Sequence, residues 1–300
     1  MDNEELKLWK KAGQLTAEAR DYGKTLVKEG ANLLEIANKI EDFIIKKGGK
    51  IAFPVQISKN NIAAHYTPFP DDPTVIENGD VIKLDLGVHC NGYIGDSALT
   101  IEIGTKDHQE LIKANINSLN EAIKLCKPGV KVCELGKAVF DVVNPTGLKA
   151  IRNLCGHKID RYLLHSHISI PNYDNNDKTE LEEGTVIAIE PHISNGVGLI
   201  KEGKPSGNFR VYNLRNVRDP MTKSVLEFIN KEHTTLPFAI RHLTKKFPLA
   251  KVNYALNNLK KQDIIYEYAQ LLEKDPKAYV SQQEHTIMIA DKPIVLTKGE

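Results

Sequence analysis

The sequence predicts an α+β fold of two pseudo-symmetric halves, each an antiparallel sheet covered by helices. Three observations predict it. Val81–Leu99 reads as two apolar runs around Asn91-Gly92, the strongest two-residue signal for a hairpin with a type I′ turn. Glu182–Pro191 (EEGTVIAIEP) repeats Glu77–Leu86 (ENGDVIKLDL) at a constant offset of 105 positions. Two helical patterns precede each copy. In each copy a turn glycine (Gly79, Gly184) leads into an apolar strand and then a carboxylate, Asp85 or Glu190. A duplicated half-domain that brings one carboxylate from each half to a shared site explains the repeat.

Taken in order, residues 3–29 place Leu6, Trp9, Ala12, Leu15 and Ala19 at helical spacing before a Gly30 stop. Ala31–Lys47 is a second amphipathic helix, ended by Gly48-Gly49. Ile51–Ile57 and Asn61–His65 look like strands, and TPFPDDP between them and the hairpin is a loop. In the hairpin, Cys90 faces Tyr93, Gly87 faces Asp96 and Asp85 faces Ala98. Asp85 and Asp96 are then diagonal neighbours on one face, their Cα atoms roughly 7–8 Å apart. Two ionised carboxylates on a buried face repel and lose solvation, and a divalent metal between them removes both problems. The hairpin alone fits equally well a register shifted by one residue, with one Asp exposed.

Lys106–Lys124 and Val132–Val143 are helices separated by Lys127-Pro128-Gly129. From about 207 to 270 the chain is nearly all helical in pattern and rich in Lys. Its short helices resemble a helix-turn-helix or winged-helix unit of the kind that reads DNA. The alternative is a helical insertion packed on the main domain, favoured because the basic residues alternate with Glu and Asp instead of forming a stripe. The chain then returns to a strand over Gln283–Ala290, carrying Glu284 and His285.

Composition excludes several classes. Apolar content of 41%, charged content of 26% and a formal net charge of +1 describe an ordinary globular chain without a dominant nucleic-acid or membrane footprint. The four cysteines (Cys90, Cys126, Cys133, Cys155) show no CxxC spacing and read as reduced thiols. No apolar run approaches the roughly 20 residues of a membrane span. The charged start MDNEELKLWKKAG is no export signal. The expectation is a cytoplasmic protein.

Besides Asp85, Asp96 and Glu190, the candidate chemical residues are His65, His157, His165 and Glu284. Singly, each has an ordinary reading: a loop His is usually hydrogen-bonded, and a Glu starting a strand is usually solvated. Cys155, two positions before His157, reads as packing. Together the set supplies four carboxylates and an imidazole, enough for two hard or borderline divalent ions, and the absence of thiolates argues against structural zinc.

The segments AAHYTP, KLDLGVH, IGDSALT, CGH, IEP and QEHT resemble those of the methionine aminopeptidases, members of the pita-bread metalloenzyme family. The resemblance runs from about residue 5 to the C-terminus and implies a pita-bread catalytic domain over 1–300. It implies two divalent ions (Co, Mn, Fe or Zn) held at the positions that here are Asp85, Asp96, His157, Glu190 and Glu284. The interval of 94 residues from Glu190 to Glu284 matches the type 2 enzymes, which carry a helical subdomain there, in their short archaeal-style form. The block 207–270 is then that winged-helix-like insertion.

By the same resemblance Glu190 is also the proton shuttle, His165 bonds the scissile carbonyl oxygen, and His65 contacts the substrate backbone near the leaving nitrogen. Phe53, Leu164, His165 and Tyr268 are the matched positions for an apolar methionine pocket, with Tyr266 two residues from Tyr268. The expected substrates are peptides and nascent chains with an N-terminal methionine and a small second residue. The expected enzyme is a monomer, with no membrane or nucleic-acid partner and with ribosome association left open. The rivals are a Pro-specific aminopeptidase or dipeptidase of the same fold, and a pita-bread protein that has lost catalysis and binds ribosomes or nucleic acid.

Overall fold

The chain is described from a computed structural model, which covers residues 2–299. Helices α1 (Asn3–Leu26) and α2 (Leu33–Lys46) form where apolar residues recur at helical spacing. Asp2 caps α1 in a reciprocal capping box with Glu5, and Asn32 caps α2 through the Glu35 N–H. The sheet beneath them takes β1 (Lys50–Lys59) as one edge, β3 (Val81–Cys90) as its centre and β4 (Tyr93–Glu102) as the other edge, with the short β2 (Ile62–Ala64) lying outside it. Leu33, Ile36, Ile40 and Ile44 of α2 pack on Ile57, Ile82, Leu84 and Val88 in one buried cluster.

The hairpin register is the one expected: Cys90 opposes Tyr93, Gly87 opposes Asp96 and Asp85 opposes Ala98. Both turn residues take positive φ, Asn91 at 53° and Gly92 at 89°, as a type I′ turn demands.

The second half repeats this plan. Helices α3 (Gln109–Lys124) and α4 (Val132–Val143) cover the sheet built by β6 (Cys155–Lys158), β7 (Ser169–Pro171), β8 (Val186–Ile189), β14 (His285–Met288) and β15 (Ile294–Val295), with β5 (Lys149–Ala150) in a smaller sheet beside β9 (His192–Ser194). The two sequence copies fold alike. The Gly79 N–H donates to the Ile103 carbonyl at 2.7 Å, and the Gly184 N–H donates to the Ile289 carbonyl at 2.8 Å. Ile103 N–H returns to Asp80 and Ile289 N–H to Thr185, so the same turn launches β3 and β8.

Two expectations about element type and one about burial need correction. The block 207–270 is not helical throughout. Its ends belong to β10 (Ile200–Val211) and β12 (Ile265–Glu273), an antiparallel ribbon that also takes up β2 and the two-residue β11 (Phe238–Ala239). Only α5 (Pro220–His233), α6 (Ile240–Thr244) and α7 (Leu249–Lys261) are helical, and they close around a core of their own that includes Ile229, Phe238, Leu243 and Leu256. Pairing with β10 overrides the helix-forming Glu, Ala, Gln and Leu of β12. The expected strand over Gln283–Ala290 is broken: β13 (Val280–Gln282) ends before Glu284 and β14 begins after it. Cys155, read as packing, is exposed. Among the described residues no helix is long and apolar enough to cross a membrane.

Gly92 has a second constraint besides its φ. A Cβ built there would lie 2.3 Å from the Tyr162 ring, at the start of the loop that carries Leu164 and His165. Gly92→Ala should therefore cost about 1–3 kcal/mol for the backbone strain alone, measured by urea unfolding, and a loss below about 0.5 kcal/mol would contradict this packing.

Candidate metal centre

Asp85 on β3 and Asp96 on β4 point to the same side of the first sheet because their register makes them diagonal neighbours. From the second sheet, His157 stands on β6, Glu190 follows β8, and Glu284 precedes β14. His285 pairs with Ile189, so Glu190 and Glu284 leave the end of one ladder side by side. The two sheets meet here through side chains that bond backbone. Thr286 Oγ1 accepts from the Asp96 N–H at 2.7 Å and donates to the Asp96 carbonyl at 2.8 Å, while the Glu284 N–H donates to the Ala98 carbonyl at 3.0 Å.

The result is one pocket. Donor atoms of Asp96, His157 and Glu284 lie within 4.8 Å of one another. His157 Nε2 is 3.6 Å from Asp96 Oδ2 and 3.6 Å from Glu190 Oε1. Asp85 joins through Gln282, whose Nε2 donates to Asp85 Oδ2 at 3.2 Å and reaches Glu284 Oε2 at 3.5 Å. The cavity is lined as well by Phe53, His65, Leu164, His165 and Tyr268, so all the expected site positions converge, and Tyr268 rather than the exposed Tyr266 faces it. Gln56, Ala64, Asn208 and Pro237 line it too, and the sequence reading missed them along with Gln282. Gln56 lies inside the strand expected over Ile51–Ile57, and pairing that strand with the hairpin would have found it opposite Asp85. Asn208 and Pro237 carry no local signal.

The electrostatics are those of a site short of positive charge. Among the described residues no Lys or Arg lines the cavity. Burial pushes the Asp85 carboxyl up from 3.8 to about 7. Burial raises Asp96 well above its ordinary value, and the charges of Asp85 and Glu190 add to it. Glu190 and Glu284 are raised in the same way, by burial and then by neighbouring carboxylates. Burial pushes His157 down to about 4 and His165 well below its usual range, so both imidazoles are neutral at pH 7. Asp85 Oδ1 and Asp96 Oδ1 are buried without a hydrogen-bond partner. Orphaned carboxylate oxygens beside a neutral imidazole, with no thiolate, suit a hard or borderline divalent cation.

His65 is set differently. It stands at a positive φ of 68°, its N–H donates to Gln56 Oε1 at 2.7 Å, and its Nδ1 is 3.0 Å from the Ala269 carbonyl. A carbonyl only accepts, so Nδ1 carries the proton and Nε2 is left as an acceptor.

Two antiparallel half-sheets under helix pairs, with acidic residues and a His meeting between them, define a metallopeptidase fold and site. The chain belongs to metallopeptidase family M24, whose sequence profile matches residues 7–218. Within it the chain is similar to the methionine aminopeptidase of Pyrococcus horikoshii, 41% identical over 287 residues, which span 95% of this chain and 97% of the relative. Among solved structures, a thermophilic Arx1 superposes with a TM-score of 0.87 at 18% identity, covering 99% of this chain and 91% of that one. Methionine aminopeptidase from Thermotoga maritima superposes with a TM-score of 0.71 at 22% identity, covering 99% and 98%. At these identities the two structures establish the shared pita-bread fold.

The raised carboxyls set a pH dependence. Without metal, folded Asp85 keeps a proton that the unfolded chain releases above about pH 4, so stability falls as pH rises toward 7. A bound divalent ion removes that loss by holding the carboxylates ionised. The melting temperature gained on adding Mn²⁺ to chelator-treated protein should therefore grow from pH 5 to pH 7. A gain that shrinks over that range would contradict the charge balance described here.

Proposed function

We propose that this chain is a metal-dependent methionyl aminopeptidase that releases N-terminal methionine from peptides and nascent proteins with a small second residue. The observation that carries the reading is the convergence of the five expected donors on one pocket with an apolar wall, in an M24 chain whose curated relatives over nearly its full length are methionine aminopeptidases. In this reading Asp85, Asp96, His157, Glu190 and Glu284 hold two divalent ions, with Mn, Fe, Co and Zn all compatible with the donor set. When bound, the ions supply a water acidified toward neutrality and polarise the first peptide carbonyl.

The protein's own groups do the rest. Glu190, beside His157, takes the proton of the water that adds to the carbonyl carbon and passes it to the amine as the C–N bond breaks. His165, edge-on to His157 with ring centroids 4.4 Å apart, donates to the carbonyl oxygen as it gains charge. His65, with Nε2 free to accept, receives the N–H of the scissile amide. Phe53, Leu164, His165 and Tyr268 enclose the methionine side chain. The enzyme works as a monomer in the cytoplasm, where nascent chains are made. The rival reading, a scaffold without catalysis, is disfavoured because none of the five donors is substituted.

Chelator-stripped protein reloaded with Mn²⁺ or Co²⁺ should release methionine from Met-Ala-Ser, and only weakly cleave Leu-Ala-Ser or a peptide with Pro second. Asp96→Ala should abolish release. Two bound ions without release from any of these peptides would point to another substrate, and no bound metal would sink the enzyme reading. His165→Ala should lower kcat by about 10²–10³, the cost typical of losing one donor to a developing oxyanion, and should also raise KM because His165 is part of the methionine pocket.

A further inference from the structure

Outside the donor set, Glu41 of α2 is a fully buried carboxylate that binds three partners at once. Its Oε1 accepts the Val55 N–H at 3.3 Å and His242 Nε2 at 3.0 Å, and it pairs with the Arg241 guanidinium. Arg241 and His242 belong to α6, 200 residues away in the insertion. His242 Nδ1 accepts the Ala239 N–H at 3.3 Å, which fixes the imidazole proton on Nε2 and makes that nitrogen the donor to Glu41.

Both ends of this relay lie beside the pocket. Val55 sits between Phe53 and Gln56, where the pairing of β1 with β3 slips, so its N–H goes to Glu41 instead of to a ladder. Ala239 pairs with Asn208 and lies two residues past Pro237. Phe53 and Gln56 form one wall of the cavity, Asn208 and Pro237 another. The relay itself lines no part of the cavity and touches none of the five donors.

We propose that Glu41 and His242 are positioning residues that set the width of the substrate side-chain pocket by locking the insertion's wall to the β1 wall. This rests on the reading of that pocket as the methionine site. Among the described residues β1 pairs with β3 and β11 with β10, with no ladder between the two walls, so the buried bonds hold their separation. Those bonds act where water does not compete, so each is stronger than it would be at the surface and costly to break. Releasing the relay lets the walls drift apart, which weakens the fit to methionine and leaves the chemistry at the donors in place.

The test compares metal-loaded wild type with Glu41→Gln and the charge-neutral His242→Phe, which keeps the Glu41–Arg241 pair. Glu273→Gln serves as a control, since Glu273 is an equally buried carboxylate pinning the Val197–Leu199 backbone elsewhere. In both relay variants KM for Met-Ala-Ser should rise with kcat within about twofold. The preference for Met-Ala-Ser over Leu-Ala-Ser in kcat/KM should fall about tenfold, within the range an apolar pocket discriminates. Glu273→Gln should lower the melting temperature and leave the preference alone. An unchanged preference in folded relay variants would reduce Glu41 to a stability role and overturn the proposal. If Glu41→Gln does not fold, His242→Phe decides. Hydrogen exchange at 52–57 and 237–242 gives a readout independent of turnover. Faster exchange at both in His242→Phe supports the coupling of the walls even if wild type cleaves none of the peptides, and unchanged exchange overturns it.

Discussion

The rest of the structure depends on holding four carboxyl groups together in a buried pocket that, among the described residues, no Lys or Arg lines. Burial and mutual repulsion both disfavour ionisation, and the raised carboxyls of Asp85, Asp96, Glu190 and Glu284 register that cost. Such an arrangement persists only if the backbone imposes it. Here it does so from both sheets, because Thr286 bonds both backbone groups of Asp96 and the Glu284 N–H bonds Ala98. The same acid-rich cradle that is costly when empty of counter-charge is a strong ligand for a dication, so the fold's least comfortable feature and its chemistry are one thing.

The duplication explains how the cradle is assembled. Each half contributes a strand launched by a glycine turn with an acid six residues after the glycine, and the helix pairs bury the outer faces of the two sheets in separate cores. The insertion then adds what the symmetric halves lack. Its ribbon brings Asn208 and Tyr268 to the cavity, and Ala269 on the same ribbon fixes the proton of His65. One part of the molecule supplies the donors, and the other shapes the space beside them.

Legibility in the sequence followed locality. The Asp85–Asp96 register could be read because a two-residue turn with positive φ at both positions sets it within a few bonds. Glu190 could be read because the repeat marks it. His65 and Tyr268 were reachable only through the resemblance, since nothing in their own neighbourhoods distinguishes them. Gln282, Asn208 and Pro237 were missed because contacts far along the chain bring them to the site. Arg241 was missed for the same reason, its partner being 200 positions away. The ends of the helical block were mistyped because strand pairing, not local propensity, decided β10 and β12.

The outer position of β4 bears on how the chain is made. Its outer edge is met by the segment around Gln282–Thr286, and the bond from Thr100 to the Gln282 carbonyl spans 182 positions. At a synthesis rate of about 5–20 residues per second, that edge waits roughly 10–40 s for its partner. An unpaired edge is a template for association with other chains, and charge on it is the usual protection. Asp96 and Glu102 lie on that strand, which places two acids where such protection would act. In the folded protein that edge is covered and Asp96 is buried, so the arrival of the last strands both closes the edge and takes this acid out of water.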